Sequence, residues 1–361
     1  MRSLRRYHLG LRTDRSFFVR PQGSRLRLSP WGHDGSRLPA VQGAGWRITF
    51  ERIPLPAAPM VQVNIEPVLH AANRSVAQRA SLLVYAAHCV LEGCPPASPL
   101  RGFAPYRPVP LDKAELRRLE AWERAELAEQ GTLQTTGVEA ACRFAGKLSR
   151  NLDGHYACLK LMMSFSDCAL HPMDLHPRYG EIGFVQSRST MNHLVWARAV
   201  VSAYGVIEEL GLDVRTGGKR SVQDGKWNPD VLADLERRLQ RNGVNLAETI
   251  PWSVRGAPRK LEKLSSERFL SSEKAVWARG PYVRDISVRI IDAINATSRL
   301  RSTVAAHKAR ALRSRLSAVD VHNVQMVARR LLMESFGEWR RYLDEDEPRP
   351  RAGAPSRPPR G

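Results

Sequence analysis

The chain has 361 residues, 43% of them apolar and 25% charged. Those are globular proportions, not fibrous or disordered ones, and the length suggests two or three domains. The net charge of +20 and a pI of about 10.5 favour a polyanionic partner, RNA first among them. Arg-rich codon usage would give the same excess, and the basic residues are spread along the chain, not clustered.

The N-terminus "MRSLRRYHLGLRTDRSFF" is basic but lacks the apolar core of a signal peptide. No run reaches the ~18 apolar residues that a membrane span needs. A cytoplasmic protein without membrane contact is therefore expected. The five cysteines are odd in number and match no common zinc or redox spacing, so they read as reduced, mostly buried thiols.

Residues 1–66 read as a small β section. "SFFVR", "GWRITFERI" and "MVQVNIEPV" are rich in β-branched and aromatic residues, "SRLRLS" is read as a strand with them, and Gly, Pro and Asp lie between. From Pro67 to 180 the pattern is helical. "VLHAANRSVAQRASLLVYAAHCVLEG" forms one helix closed by Gly93. A Pro-rich linker over 94–110 separates it from the charged helix "DKAELRRLEAWERAELAEQG". Residues 134–170 continue helical and end at the Pro-punctuated "HPMDLHPRYG".

The third section covers 188–338. "MNHLVWARAVVSAYGVIEELG" presents Leu194, Ala197, Val201, Tyr204, Ile207 and Leu210 at helical spacing, with Gly211 as its stop. Residues 212–280 read as an insertion. It contains a helix capped by Asn228, opened by Pro229 and stopped by Gly243. A long helix, "RDISVRIIDAINATSRLRSTVAAH", carries an apolar stripe through Ile290, Ile294, Thr297 and Val304. The last helix, "SAVDVHNVQMVARRLLMESFG", begins at a Ser317/Asp320 capping pair. Val321, Val324, Ala328, Leu331 and Leu332 form its inner face. The tail, 344–361, has a disordered composition. The expected fold is mainly α, with a small N-terminal β section and a C-terminal helical bundle.

One pair of residues invites a chemical reading: Arg301 and, six positions on, His307. With ten His and so many Arg, about four pairs of the form Arg, four to six residues, His arise by chance. Arg2/His8, Arg27/His33, Arg150/His155, Arg188/His193 and Arg315/His322 are the others. Context favours Arg301/His307, which ends one amphipathic helix before a short basic connector and a capped last helix. This arrangement, with "RRLL" at Arg329–Leu332, resembles the HEPN superfamily of helical bundles over residues 188–338. Ser302 suits the polar residue often found after the motif arginine. The 212–280 insertion is a departure from a minimal bundle.

The resemblance implies metal-independent endoribonuclease action without a cofactor, as in toxins and phage-defence effectors, and a homodimer. A histidine titrating near neutral pH moves the 2′-hydroxyl proton or protonates the leaving oxygen. An arginine meets the phosphate oxygens as negative charge builds. Six positions along a regular helix turn the side chains by about 240°. They therefore meet only if the helix loosens near Val304 or if two copies face each other. Glu208 or Glu209 could orient the pair. The plainer alternative pairs Arg301 with Glu208 or Asp292 and leaves His307 capping its helix.

Two further readings stay open. A helical module could bind RNA or a protein partner without catalysis. Cys168, His171, Asp174 and His176 are legitimate ligand types for a metal-dependent enzyme, although prolines stiffen that loop. "RNLDGH" offers a rival Arg150/His155 pair, but Asp153-Gly154 is a turn signal. Trp196, Trp227, Trp252 and Trp277 read as packing anchors. P-loop, dinucleotide-binding, serine-hydrolase and zinc-protease motifs are absent.

Overall fold

A computed structural model describes residues 7–11, 17–20, 25–27, 39–53, 60–68, 73–93, 135–169, 190–256, 269, 282–302, 316 and 318–340. Among the described residues the chain is mainly helical, with seven helices and small antiparallel sheets. The linker 94–110, the charged helix expected at 112–131 and the tail 344–361 lie outside the described residues.

The N-terminal strands are β1 (Tyr7–Leu11), β2 (Phe17–Arg20), β3 (Arg25–Arg27), β4 (Val41–Gly43), β5 (Trp46–Ile53) and β6 (Met60–Pro67). They form one antiparallel sheet in the order β2-β1-β6-β5-β4, with β3 also on β6. The alternation in β5 sets its faces: Trp46 and Ile48 are buried while Arg47 is exposed. The β4–β5 turn needs two glycines. Gly45 has φ +77°, and a Cβ on Gly43 would lie 2.1 Å from the Trp46 ring.

The helices are α1 (Asn73–Glu92), α2 (Thr135–Leu148), α3 (Leu152–Ala169), α4 (Thr190–Glu209), α5 (Pro229–Arg241), α6 (Ile290–Leu300) and α7 (Ala318–Ser335). Helix α1 begins five residues later than the sequence suggests. Val68 stays on the sheet side, where its N–H donates to Gly45 O at 3.0 Å. From Leu83 to Val90 every residue of α1 is buried, the pattern of a helix enclosed on all sides. Gly93 (φ +69°) ends it.

The sheet meets α2 backbone to backbone. A Cβ on Gly146 would stand 2.9 Å from Gln42 O. Beside it, Ala44 N–H donates to Ser149 Oγ at 2.9 Å, and Arg150 donates to Gln42 O at 3.2 Å. One contiguous core then runs from Trp46 and Ile48 to Leu332 and Met333.

Two expectations are revised by the fold. Residues 284–289 are not the start of the long helix. They belong to β10 (Tyr282–Arg289), which pairs with β9 (Thr249–Gly256) along its whole length. The reason is period-two burial: Ile286 and Val288 face inward while Asp285, Ser287 and Arg289 face out. The helix starts only at Ile290. Second, Leu194 and Val201 are exposed. The expected Ala197, Tyr204 and Ile207 are buried, and the inner face of α4 widens to take in Trp196, Ala199, Val200, Ala203 and Val206, because α4 is covered by α3 on one side and α7 on another. The described part of the segment read as an insertion, residues 212–256, contributes to the core. Leu212, Val231, Leu235, Leu239, Ile250 and Trp252 are buried core. The expected inner face of α7, Val321, Val324, Ala328, Leu331 and Leu332, is fully buried.

The two-stranded ribbon β7 (Val222–Gln223) and β8 (Lys226–Trp227) clamps the start of α6. Trp227 Nε1 donates to Asp292 Oδ1 at 2.8 Å, and Ser221 Oγ donates to Asn295 Oδ1 at 2.8 Å. Arg289 adds two hydrogen bonds to the same Asp292 carboxylate, at 2.8 and 3.0 Å. That anchorage fixes the direction in which α6 carries Arg301. Among the described residues, no helix is long and apolar enough to cross a membrane.

Candidate functional site at the α4–α6 corner

Helix α4 ends in Glu208-Glu209. Gly211 (φ +67°) then turns the chain, with Gly211 N–H bonded to Glu208 O and Leu212 N–H to Ile207 O, both at 2.9 Å. No basic residue occupies that last turn. A carboxylate there opposes the negative end of the helix dipole, at a cost of about 0.3–1 kcal/mol. Cations from other helices offset it. Lys160 of α3 reaches Glu209 at 2.6 Å, and Arg301 reaches Glu208 at 3.4 Å.

Arg301 follows directly on α6. Its N–H bonds to Thr297 O and Ser298 O, and its φ of −61° and ψ of −52° continue the helical turn. Its guanidinium stands 5.7 Å from the centre of the Tyr204 ring, a cation–π approach. Tyr204 is buried, which raises the pKa of its hydroxyl; that hydroxyl shares a hydrogen bond with Ser298. The Arg301 and Glu208 side chains retain 41% and 43% of their exposure. An open ion pair of this kind contributes at most about 1 kcal/mol. The corner thus offers a water-accessible guanidinium on an aromatic floor, competed for by one carboxylate.

Of the acidic partners considered for Arg301, Glu208 takes it. Asp292 is buried and engaged by Arg289 and Trp227. Ser302 is exposed, and its hydroxyl donates to Ser298 O at 2.8 Å. His307, His171, Asp174 and His176 lie outside the described residues, as does Val304. Among the described residues, no group of three or more His, Cys, Asp or Glu could hold a metal ion.

The rival Arg150 is committed to the sheet through Gln42 O. His155 lies on α3, edge-on to Tyr156 with ring centres 5.8 Å apart. Burial and then the charge of Arg79 lower its pKa. The "RRLL" text serves packing. Arg329 donates to Val90 O and Leu91 O, both at 2.6 Å, and so caps α1. Arg330 pairs with Glu248 and with Glu334 and lies 4.2 Å from the Trp339 ring centre. Trp196 and Trp252 are core residues, and Trp227 holds Asp292.

Sequence reasoning took Tyr204 only for an apolar stripe residue and passed over Ser298 and Lys160. A signal for the corner was present: two adjacent glutamates at the unfavourable end of a buried helix imply cations brought from elsewhere. No known protein family, curated protein or solved structure matches the chain.

Proposed function

We propose that the chain is a metal-independent endoribonuclease built on a HEPN-like C-terminal bundle, with Arg301 as phosphate stabiliser and His307 as acid/base. The half-exposed Arg301 guanidinium at the end of α6, lying over Tyr204, carries this reading. A guanidinium so placed can give two parallel N–H bonds to a phosphodiester. The net charge of +20 draws a polyanion toward it. In the reaction the RNA 2′-oxygen attacks phosphorus, the P–O5′ bond breaks, and a 2′,3′-cyclic phosphate remains. His307 moves the 2′ proton or protonates the departing 5′ oxygen, and two chains pair so that the groups converge.

Incubation of the purified chain with single-stranded RNA in EDTA tests this. Cleavage to cyclic-phosphate ends is expected, falling about 10²- to 10⁴-fold in His307→Ala. Cleavage abolished by EDTA and by His171→Ala would move the chemistry to residues 168–176. In a second reading the Glu208–Arg301 ion pair is structural, and the net charge of +20 holds RNA without cleavage. RNA retained intact by the full chain would establish it.

A further inference from the structure

The ion pairs at the end of α4 differ in kind. Lys160 and Glu209 stand 2.6 Å apart, with side chains 39% and 28% exposed. Arg301 and Glu208 stand 3.4 Å apart, with side chains 41% and 43% exposed, so the difference lies in the carboxylate. The Lys160 stem also lies over the backbone at Gly205, where an added Cβ would meet Lys160 Cδ at 3.1 Å. One pair is short with its carboxylate largely covered; the other is longer with its carboxylate open to water.

We propose that Glu208 is an exchangeable anionic latch on Arg301. Its carboxylate holds the guanidinium over Tyr204 and yields it to an RNA phosphodiester. This rests on the reading of Arg301 as a phosphate contact. The exchange swaps one anion for another, so the guanidinium never loses its counter-charge. Tyr204 and the backbone bonds from Arg301 N–H to Thr297 and Ser298 stay in place and keep the side chain aimed. The released carboxylate is left at the negative end of α4 and close to the incoming phosphate. Glu208 is therefore a positioning residue that weakens ground-state binding.

The test is a double-mutant cycle on the full chain. Fluorescence anisotropy would follow a short end-labelled 2′-O-methyl oligouridylate, which keeps the phosphodiesters but lacks the attacking 2′-hydroxyl and so is bound without being cut. Arg301→Ala is expected to weaken binding about tenfold or more. Glu208→Gln is expected to tighten it about two- to fivefold, and only when Arg301 is present. Glu209→Gln changes the net charge equally and should tighten it less. Glu208→Ser serves as a second latch variant if Glu208→Gln melts early. Equal tightening by Glu208→Gln with and without Arg301, or none in either background, overturns the latch and leaves the RNA contact standing. Binding indifferent to Arg301→Ala overturns both.

Discussion

Replacing Asp292 with Ala tests whether the β7–β8 ribbon anchors α6. The carboxylate accepts three hydrogen bonds, from Trp227 at 2.8 Å and from Arg289 at 2.8 and 3.0 Å. Arg289 is 53% exposed, so water replaces most of what it loses, and that pair contributes at most about 1 kcal/mol. The Trp227 N–H is different. It is partly buried, and stranding it costs about 1–3 kcal/mol. Asp292 also lies in the first turn of α6, where a negative charge contributes about 0.3–1 kcal/mol. The expected loss is about 2–4 kcal/mol in urea unfolding. Trp227→Phe removes the donor while keeping a ring, so the double variant should recover about 1–2 kcal/mol of coupling. Additive effects, or a loss under about 0.5 kcal/mol, would show that the ribbon does not hold α6 through this carboxylate.

Arg329→Met removes two charge-assisted hydrogen bonds from the last-turn carbonyls of α1. A loss of about 2–4 kcal/mol is expected, with hydrogen exchange accelerating first at the C-terminal end of α1. For pH, His155 is the group to follow. Burial, then Arg79, lower its folded pKa, so the unfolded chain takes up that proton first. Stability from this site is full above the ordinary value of about 6.5 and is lost as pH falls through the lowered folded value. Urea midpoints across that range should fall less steeply in His155→Gln than in the parent, and identical slopes would remove His155 as the cause.

Local chemistry made several features legible in the sequence. Asn228-Pro229 opens α5, and Gly93, Gly211 and Gly243 end helices with φ of +69°, +67° and +74°. Each follows from one residue's backbone freedom or one side chain's reach. The inner face of α7 was readable because Val321, Val324, Ala328, Leu331 and Leu332 recur at helical spacing, although packing buries almost every residue from Val319 to Met333. Strands β2, β5 and β6 were readable from β-branched and aromatic runs; β3 carries no such residue, and β1 and β4 are short and end in or contain Gly.

Long-range pairing decided the rest. Residues 282–289 became a strand because β9, more than twenty-five residues earlier in the chain, offered a matching edge; without that partner their apolar residues can also be fitted to a helix. Helix α4 buries a wider face than its stripe suggests because it is covered by more than one neighbour. The sequence named Arg301 and its acidic competitors, but it could not rank them. Glu208 lies 93 positions from Arg301 and Asp292 only nine, yet α6 runs away from Asp292 and ends beside the last turn of α4. Charge, caps and periodicity are local and can be read from the string of residues. Which carboxylate meets which guanidinium depends on how the helices are laid against one another, and only the packed core fixes that.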